Sequence, residues 1–248
     1  MFPDVLQSAG ARQLQAIVLV GGYGNRLRTM IADVPKPMAP IGGRPFLSYV
    51  LDDLAERGFR VVVLAVSWLH EVIVNAFGDR YRGMELRYSI EPKPLGTGGA
   101  IRQAFELVDG DFAFVLNGDT FQHLPYHLML QLAGEERSDI VMAVRAVDDA
   151  ARYGTVELHG SRVARFVEKR GGGPGLINAG AYLVQQRIVA DPNLGGVFSF
   201  EEDVLLRRAD SWIITACLIG GNFIDIGVPD DYVRAKAEIP GWIFKENR

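Results

Sequence analysis

LQAIVLVGGYGNR, residues 14–26, decides the fold. Leu14–Val20 is a near-continuous apolar run that stops at a glycine pair. A strand with one wet face alternates apolar and polar residues; a strand apolar at every position suits burial on both faces, as in a parallel sheet. Working outward, Arg44–Arg57 reads as a helix, with Pro45 in its first turn and Phe46, Leu47, Val50, Leu51 and Leu54 on one face. Gly58 can close it with a positive φ. Arg60–Val66 is a second buried strand, His70–Phe77 a short helix stopped by Gly78, and Met84–Glu91 a third strand. Gly98–Val108 follows as a helix and Asp111–Leu116 as a strand, ending in Asn117-Gly118-Asp119. Repeated β-α-β units of this kind imply an α/β fold: a predominantly parallel sheet flanked by helices, with right-handed crossovers. Ligands bind such sheets beyond the carboxyl ends of the strands, where GGYGNR and NGDT both lie.

After Asp148 the pattern changes to short strands, Tyr153–Leu158, Arg162–Lys169 and Asn178–Val184, joined by glycine-rich turns. Phe200–Ala209 reads as a helix, Trp212–Leu218 as a strand and Pro229–Glu238 as a helix. No composition break marks a second domain. The expectation is an N-terminal extension over 1–13 and a single domain over 14–248, in two halves over 14–147 and 148–240, the second facing the substrate. The 248 residues are 48% hydrophobic and 23% charged, which excludes a disordered chain, a collagen and a coiled coil. Net charge is −4, from 26 basic and 30 acidic residues, an unfavourable balance for general nucleic-acid binding. The single cysteine, Cys217, leaves no disulfide framework and no cysteine-rich zinc module. No apolar run approaches membrane-spanning length, and MFPDVLQSAGARQLQ lacks the basic and apolar regions of a signal peptide, so the reading is a cytoplasmic protein with no membrane partner.

Six segments could carry chemistry, and each has a plain structural reading beside it. In Gly21-Gly22-Tyr23-Gly24-Asn25-Arg26-Leu27-Arg28, glycines let backbone N–H groups approach an anion and arginines grip phosphate oxygens. The same residues would also serve as a strand-to-helix turn. It is no P-loop, and Leu27 stands where a dinucleotide fingerprint needs its third glycine. In VPKPMAP, prolines stiffen the backbone around Lys36, making it a fixed point charge for a phosphate or an ordinary surface lysine. EPKPLGTGGA offers Gly96, Gly98 and Gly99 for close approach to a flat ligand, or simply a turn before a helix. Asp119 at a strand end can hold Mg²⁺ or cap a helix. Asp225 sits between Ile224 and Ile226, where a bare charge is costly and a metal or an ion pair would compensate it. Phe166-Val167-Glu168-Lys169-Arg170 could meet a sugar phosphate or end a solvated strand. His123 and His127 read as structural, because no third metal ligand accompanies them, and Cys217 has no base partner.

Taken together, these segments resemble the sugar-1-phosphate nucleotidyltransferase family. GGYGNRLR followed by KPMAP resembles its N-terminal signature, with Asn25 where threonine is usual. PLGTGGA resembles the base-contacting segment, NGD the first metal aspartate, VEK the sugar-phosphate segment and FIDIGVPDDY the second metal aspartate, in order from about Ala16 to Tyr232. VPKPMAPIGGRPFLSYVL, YSIEPKPLGTGGAI and LNGDTF are closer still to the branch of D-glycero-D-manno-heptose 1-phosphate guanylyltransferases.

The resemblance implies a Rossmann-like nucleotide-diphospho-sugar transferase fold and transfer of a guanylyl group from GTP to a heptose 1-phosphate, feeding surface polysaccharide synthesis. It implies Mg²⁺ on Asp119 and Asp225. Val20, Gly21, Gly22, Gly24 and Asn25 should line the nucleotide, with Asn117 and Gly118 beside it. Arg26 should hold the triphosphate and Lys36 the α-phosphate; Gly96 and Thr97 should lie against the base. Lys169 should orient the sugar phosphate, with Gly154, Glu168 and Asn178 on the sugar. Glu91 is a separate reading: a carboxylate there can accept from guanine N1–H and N2–H together. A homodimer is the assembly the resemblance suggests. Alternatives are a mannose-1-phosphate guanylyltransferase, another NTP-dependent relative, or a non-catalytic nucleotide-sugar sensor. A dinucleotide-dependent reductase is disfavoured by Leu27.

Overall fold

The computed structural model describes residues 13–21, 34–167 and 172–243. The expected extension over 1–13 lies outside them except for Gln13. The strands are β1 (Gln15–Leu19), β2 (Pro40–Ile41), β3 (Arg44–Pro45), β4 (Val61–Val66), β5 (Arg80–Tyr81), β6 (Met84–Ile90) and β7 (Phe112–Asn117). They continue with β8 (Thr120–Gln122), β9 (Ile140–Val147), β10 (Thr155–His159), β11 (Arg162–Val167), β12 (Gly175–Gln185), β13 (Ile214–Ile219) and β14 (Phe223–Asp225). Ten of these form one sheet in the order β10-β11-β13-β9-β12-β7-β1-β4-β6-β5.

β1 runs parallel to β4 on one side and β7 on the other, and β4 runs parallel to β6. Ala16, Val18 and Val20 enter one core while Ile17 enters the other, which is why the run is apolar throughout. The helices Phe46–Glu56, His70–Phe77, Tyr126–Glu135 and Pro229–Ile243 cover the first core. The helices Gly96–Phe105 and Gln186–Val189, with the turn of π-helix Phe200–Leu206, cover the second. Three layers result. No helix among the described residues is long and apolar enough to cross a membrane.

The expected parallel pairing holds for β6, β4, β1 and β7, with the two-residue edge strand β5 antiparallel to β6, and β13 is again parallel to β9. Between them β12 runs antiparallel to both β7 and β9, so the sheet is mixed in its second half. β12 reaches both neighbours through a register shift between Asn178 and Tyr182, where Gly180 takes φ +69°. The helix expected from Arg44 begins at Phe46, because Arg44 and Pro45 pair with Ile41 and Pro40 in a two-stranded ribbon. Gly58 closes that region at φ +84°, as expected. The helix expected from Phe200 is wound as a π-helix, with the Arg207 N–H donating to the Glu202 carbonyl. Residues 120–147, given no element from the sequence, hold β8, the helix Tyr126–Glu135 and the buried strand β9.

Cys217 lies in β13, 1% exposed, and burial pushes its thiol up to about 11. At pH 8 its thiolate fraction is on the order of 10⁻³. The native chain should leave a thiol reagent unconsumed over minutes and react fully in denaturant; rapid labelling of the folded protein would contradict this packing.

Candidate functional site

The carboxyl ends of β1 and β7 cross closely. Gly118 donates its N–H to the Leu19 carbonyl at 2.9 Å, and a Cβ there would stand 2.5 Å from Val20 Cγ1. Only glycine permits that approach, and it delivers Asp119 to the sheet edge. β8 then pairs antiparallel with β14, setting Thr120 opposite Asp225. The Ile226 N–H closes onto the Asp119 carbonyl at 3.0 Å. Two aspartates more than a hundred residues apart thereby meet at one end of a small sheet.

Lys36 lies between them. Its segment, Lys36–Met38, is one turn of 3₁₀-helix in which Pro35 and Pro37 flank the lysine, closed by the Met38 N–H on the Pro35 carbonyl. Prolines fix φ on both sides and leave the lysine little freedom. Lys36 Nζ stands 2.5 Å from Asp119 Oδ2 and 3.7 Å from Asp225 Oδ1. Asp225 Oδ1 also accepts the Gly227 N–H at 2.7 Å. Burial and the nearby Asp119 charge push the Asp225 carboxyl above the usual carboxylate range, partly opposed by Lys36. Two carboxylates with a single lysine leave one negative charge over, and their hard oxygen donors suit a divalent cation completed by phosphate oxygens and water. Among the described residues no cluster of three or more His, Cys, Asp and Glu could hold a metal without such added ligands.

Beside this trio opens a cavity of about 140 Å³, lined by Asn117, Thr120, Tyr153, Asn178, Ala179, Gly180, Tyr182, Glu201, Phe223 and Asp225. Asn178 Nδ2 donates to the Tyr182 hydroxyl at 2.6 Å, and its Oδ1 accepts the Gly180 N–H at 3.0 Å. Glu201 Oε2 accepts from the Thr97 hydroxyl at 2.5 Å and from the Ser199 hydroxyl at 3.1 Å. Thr97 Oγ1 in turn accepts the Phe200 N–H at 2.9 Å. Thr97 is thus tied to the head of the π-helix, on the cavity side.

Glu91 follows β6 directly. Its Oε2 accepts the Leu95 N–H at 3.0 Å, and its Oε1 would stand 3.1 Å from a Cβ on Gly21. Burial pushes its carboxyl up, while the Leu95 N–H holds it partly down. Glu91 and the first glycine of the GGYGNR segment are therefore neighbours, with Val20 one residue before. Gly96 takes φ +74°, and a Cβ on Gly96 or Gly98 would run into the Phe198 backbone or ring. Gly154 packs beside the Val167 carbonyl at the end of β11.

The structure brings Lys36, Asp119 and Asp225 together and places Asn117 and Asn178 on the adjoining cavity. Gly22, Gly24, Asn25, Arg26, Glu168 and Lys169 lie outside the described residues. Sequence reasoning missed Tyr153 and Glu201 on the cavity wall. Tyr153 adjoins the expected Gly154, and Glu201 reads from sequence as an ordinary acidic residue in a helix's first turn. His123 is 3.0 Å from Asp53, in keeping with a structural role.

A nucleotidyl transferase family model matches residues 15–240. A D-glycero-alpha-D-manno-heptose 1-phosphate guanylyltransferase of Aneurinibacillus thermoaerophilus is 39% identical over 230 residues, covering 93% of this chain and 100% of that protein. One of the same name from Campylobacter jejuni is 44% identical over 220 residues, covering 88% and 97%. The crystal structure of HddC from Yersinia pseudotuberculosis complexed with GMP-PN superposes with a TM-score of 0.81 at 33% identity, covering 92% of this chain and all of that one.

Proposed function

The chain belongs to the nucleotidyl transferase family, and from that premise we propose that it transfers the guanylyl group of GTP to D-glycero-α-D-manno-heptose 1-phosphate, giving GDP-heptose and pyrophosphate. The near-full-length similarity to two guanylyltransferases acting on that sugar phosphate supports the choice of substrates. The observation that carries the chemistry is Lys36 held between Asp119 and Asp225, with Asp225 on the wall of the adjoining cavity.

A sugar-phosphate oxygen attacks the α-phosphorus of GTP in line; a P–O bond forms there and the bond to the β-phosphate breaks, releasing pyrophosphate. No covalent enzyme intermediate is needed. Two anions must meet, so positioning and charge neutralisation carry the rate. Lys36, on its proline-braced turn, neutralises the α-phosphate. Asp119 and Asp225 would hold Mg²⁺, which supplies charge withdrawal toward the leaving pyrophosphate. Val20, Gly21, Gly22, Gly24 and Asn25 cradle the phosphates with Arg26; Asn117 and Gly118 border the nucleotide, and Gly96, Thr97 and Glu91 meet the base. Lys169 and Glu168 receive the sugar phosphate and its hydroxyls with Gly154 and Asn178. The product feeds a surface polysaccharide, and the reaction is placed in the cytoplasm.

Pyrophosphate release with GTP, Mg²⁺ and the heptose 1-phosphate tests the reading, with mannose 1-phosphate in a parallel reaction. Fast release with the heptose and much slower release with mannose is expected. Release with mannose alone would overturn the sugar, and silence with both sugars across all NTPs would overturn the reaction.

A further inference from the structure

We propose that the ion pair of Arg152 with Asp231 is a positioning brace that sets the width of the sugar cavity, joining its Tyr153 wall to its Asp225 wall; the proposal rests on the reading of the reaction given above. Arg152 Nη1 stands 2.8 Å from Asp231 Oδ2. Asp231 is only 7% exposed and lies in the first turn of the helix Pro229–Ile243, six residues beyond Asp225. Arg152 directly precedes Tyr153, and its guanidinium stands 5.6 Å from the centre of the tyrosine ring. The two cavity walls therefore belong to segments about seventy residues apart in sequence, and this pair joins them.

The rest of the Arg152 segment is held locally. Asp149 Oδ1 accepts the Ala151 N–H at 2.9 Å, the Ala150 N–H reaches the Gly173 carbonyl at 2.9 Å, and the Tyr153 N–H folds back onto the Ala150 carbonyl. Among the described residues, Arg152 makes the one ion pair from this segment to the helix Pro229–Ile243, which follows Asp225 in the chain. A helix-capping role for Asp231 alone would not require Arg152. Asp231 also has a second partner, Arg234, at 3.2 Å on its own helix. The inner charge therefore stays paired when Arg152 is removed, so such a variant keeps its fold while the two segments are uncoupled.

Steady-state pyrophosphate release tests this with three variants. Arg152→Met should raise KM for the heptose 1-phosphate about tenfold while KM for GTP and kcat change less than about twofold. Arg152→Lys should recover much of the loss, because a cation again reaches Asp231. Arg234→Met removes the other partner of Asp231 without touching the link, and should leave the sugar KM near that of the unaltered protein. Equal rises in both KM values for Arg152→Met, or the same sugar effect from Arg234→Met, would overturn the brace while leaving the reaction intact. Silence of the unaltered protein would overturn the reaction itself, and the brace with it.

Discussion

Replacing Asp119 with asparagine should lower guanylyl transfer on the order of 10²–10³-fold, about 3–4 kcal/mol of transition-state stabilisation. The side chain keeps its shape, and the Asp119 carbonyl still accepts the Ile226 N–H, so the junction of β8 and β14 is preserved. The charge is lost. It is the charge that anchors Lys36 at 2.5 Å and that would draw a divalent cation to the site. Thermal melting should shift little, because the Asp119 side chain is about one-third exposed and Lys36 keeps Asp225 within 3.7 Å. Single-turnover pyrophosphate release at saturating GTP reads the effect, and near-normal turnover would refute the metal assignment. The same site gives a pH dependence. Asp225 titrates above its ordinary 3.8, so divalent-ion binding should weaken on acidification sooner than for a solvated aspartate.

Replacing Lys36 with methionine should cost about as much in rate and do the opposite to ion binding. The α-phosphate loses its fixed cation, and kcat/KM for GTP should fall on the order of 10²–10³-fold. Yet the ammonium group stands between the two carboxylates, 2.5 Å from one and 3.7 Å from the other. With it gone, a divalent cation meets both aspartates without a competitor. Titration of the variant with Mn²⁺ in the absence of nucleotide should show tighter binding than in the unaltered protein. Weaker binding would mean that Lys36 supports the cation site rather than competing with it. For Asp119→Asn both rate and ion affinity fall; for Lys36→Met they part, and that contrast separates the two roles.

Much of the first half of the chain is legible because its signals are local. β1 declares itself by being apolar on both faces, and Lys36 by the prolines on either side, which the structure turns into a single rigid 3₁₀ turn. Asp119 and Asp225 each announce a charge at a strand end or among apolar neighbours. Their meeting is not local: it depends on β8 pairing with β14, strands of three residues each, too short and too far apart to carry a periodic signature. β12 is illegible in another way. Its apolar run fixes burial but not direction, and direction is what makes the second half of the sheet mixed. The glycines of PLGTGG teach a third lesson. Their spacing signals that something approaches the backbone closely, and in the structure Phe198 fills that space, its carbonyl accepting the Gly98 N–H at 3.0 Å. A glycine reports a close neighbour without saying whether it is ligand or protein. Tyr153 and Glu201 went unseen because neither is unusual in its own segment; only the folded chain sets them on one wall.

Glu201 has a consequence for changing what this enzyme accepts. One of its oxygens is held by Thr97 from the head of one helix and by Ser199 from its own turn, while the residue also borders the cavity beside Asp225. Tyr153 and Phe223 border the same cavity from other segments and have no such tie to Thr97. A laboratory selection for new substrates can therefore vary the Tyr153 and Phe223 side chains without disturbing the Thr97–Glu201 tie. Variation at Glu201 also frees Thr97 at the head of the helix Gly96–Phe105, so a change at the cavity there comes mixed with a change at that helix. The cavity has one wall open to evolutionary tinkering and one bound by a shared obligation.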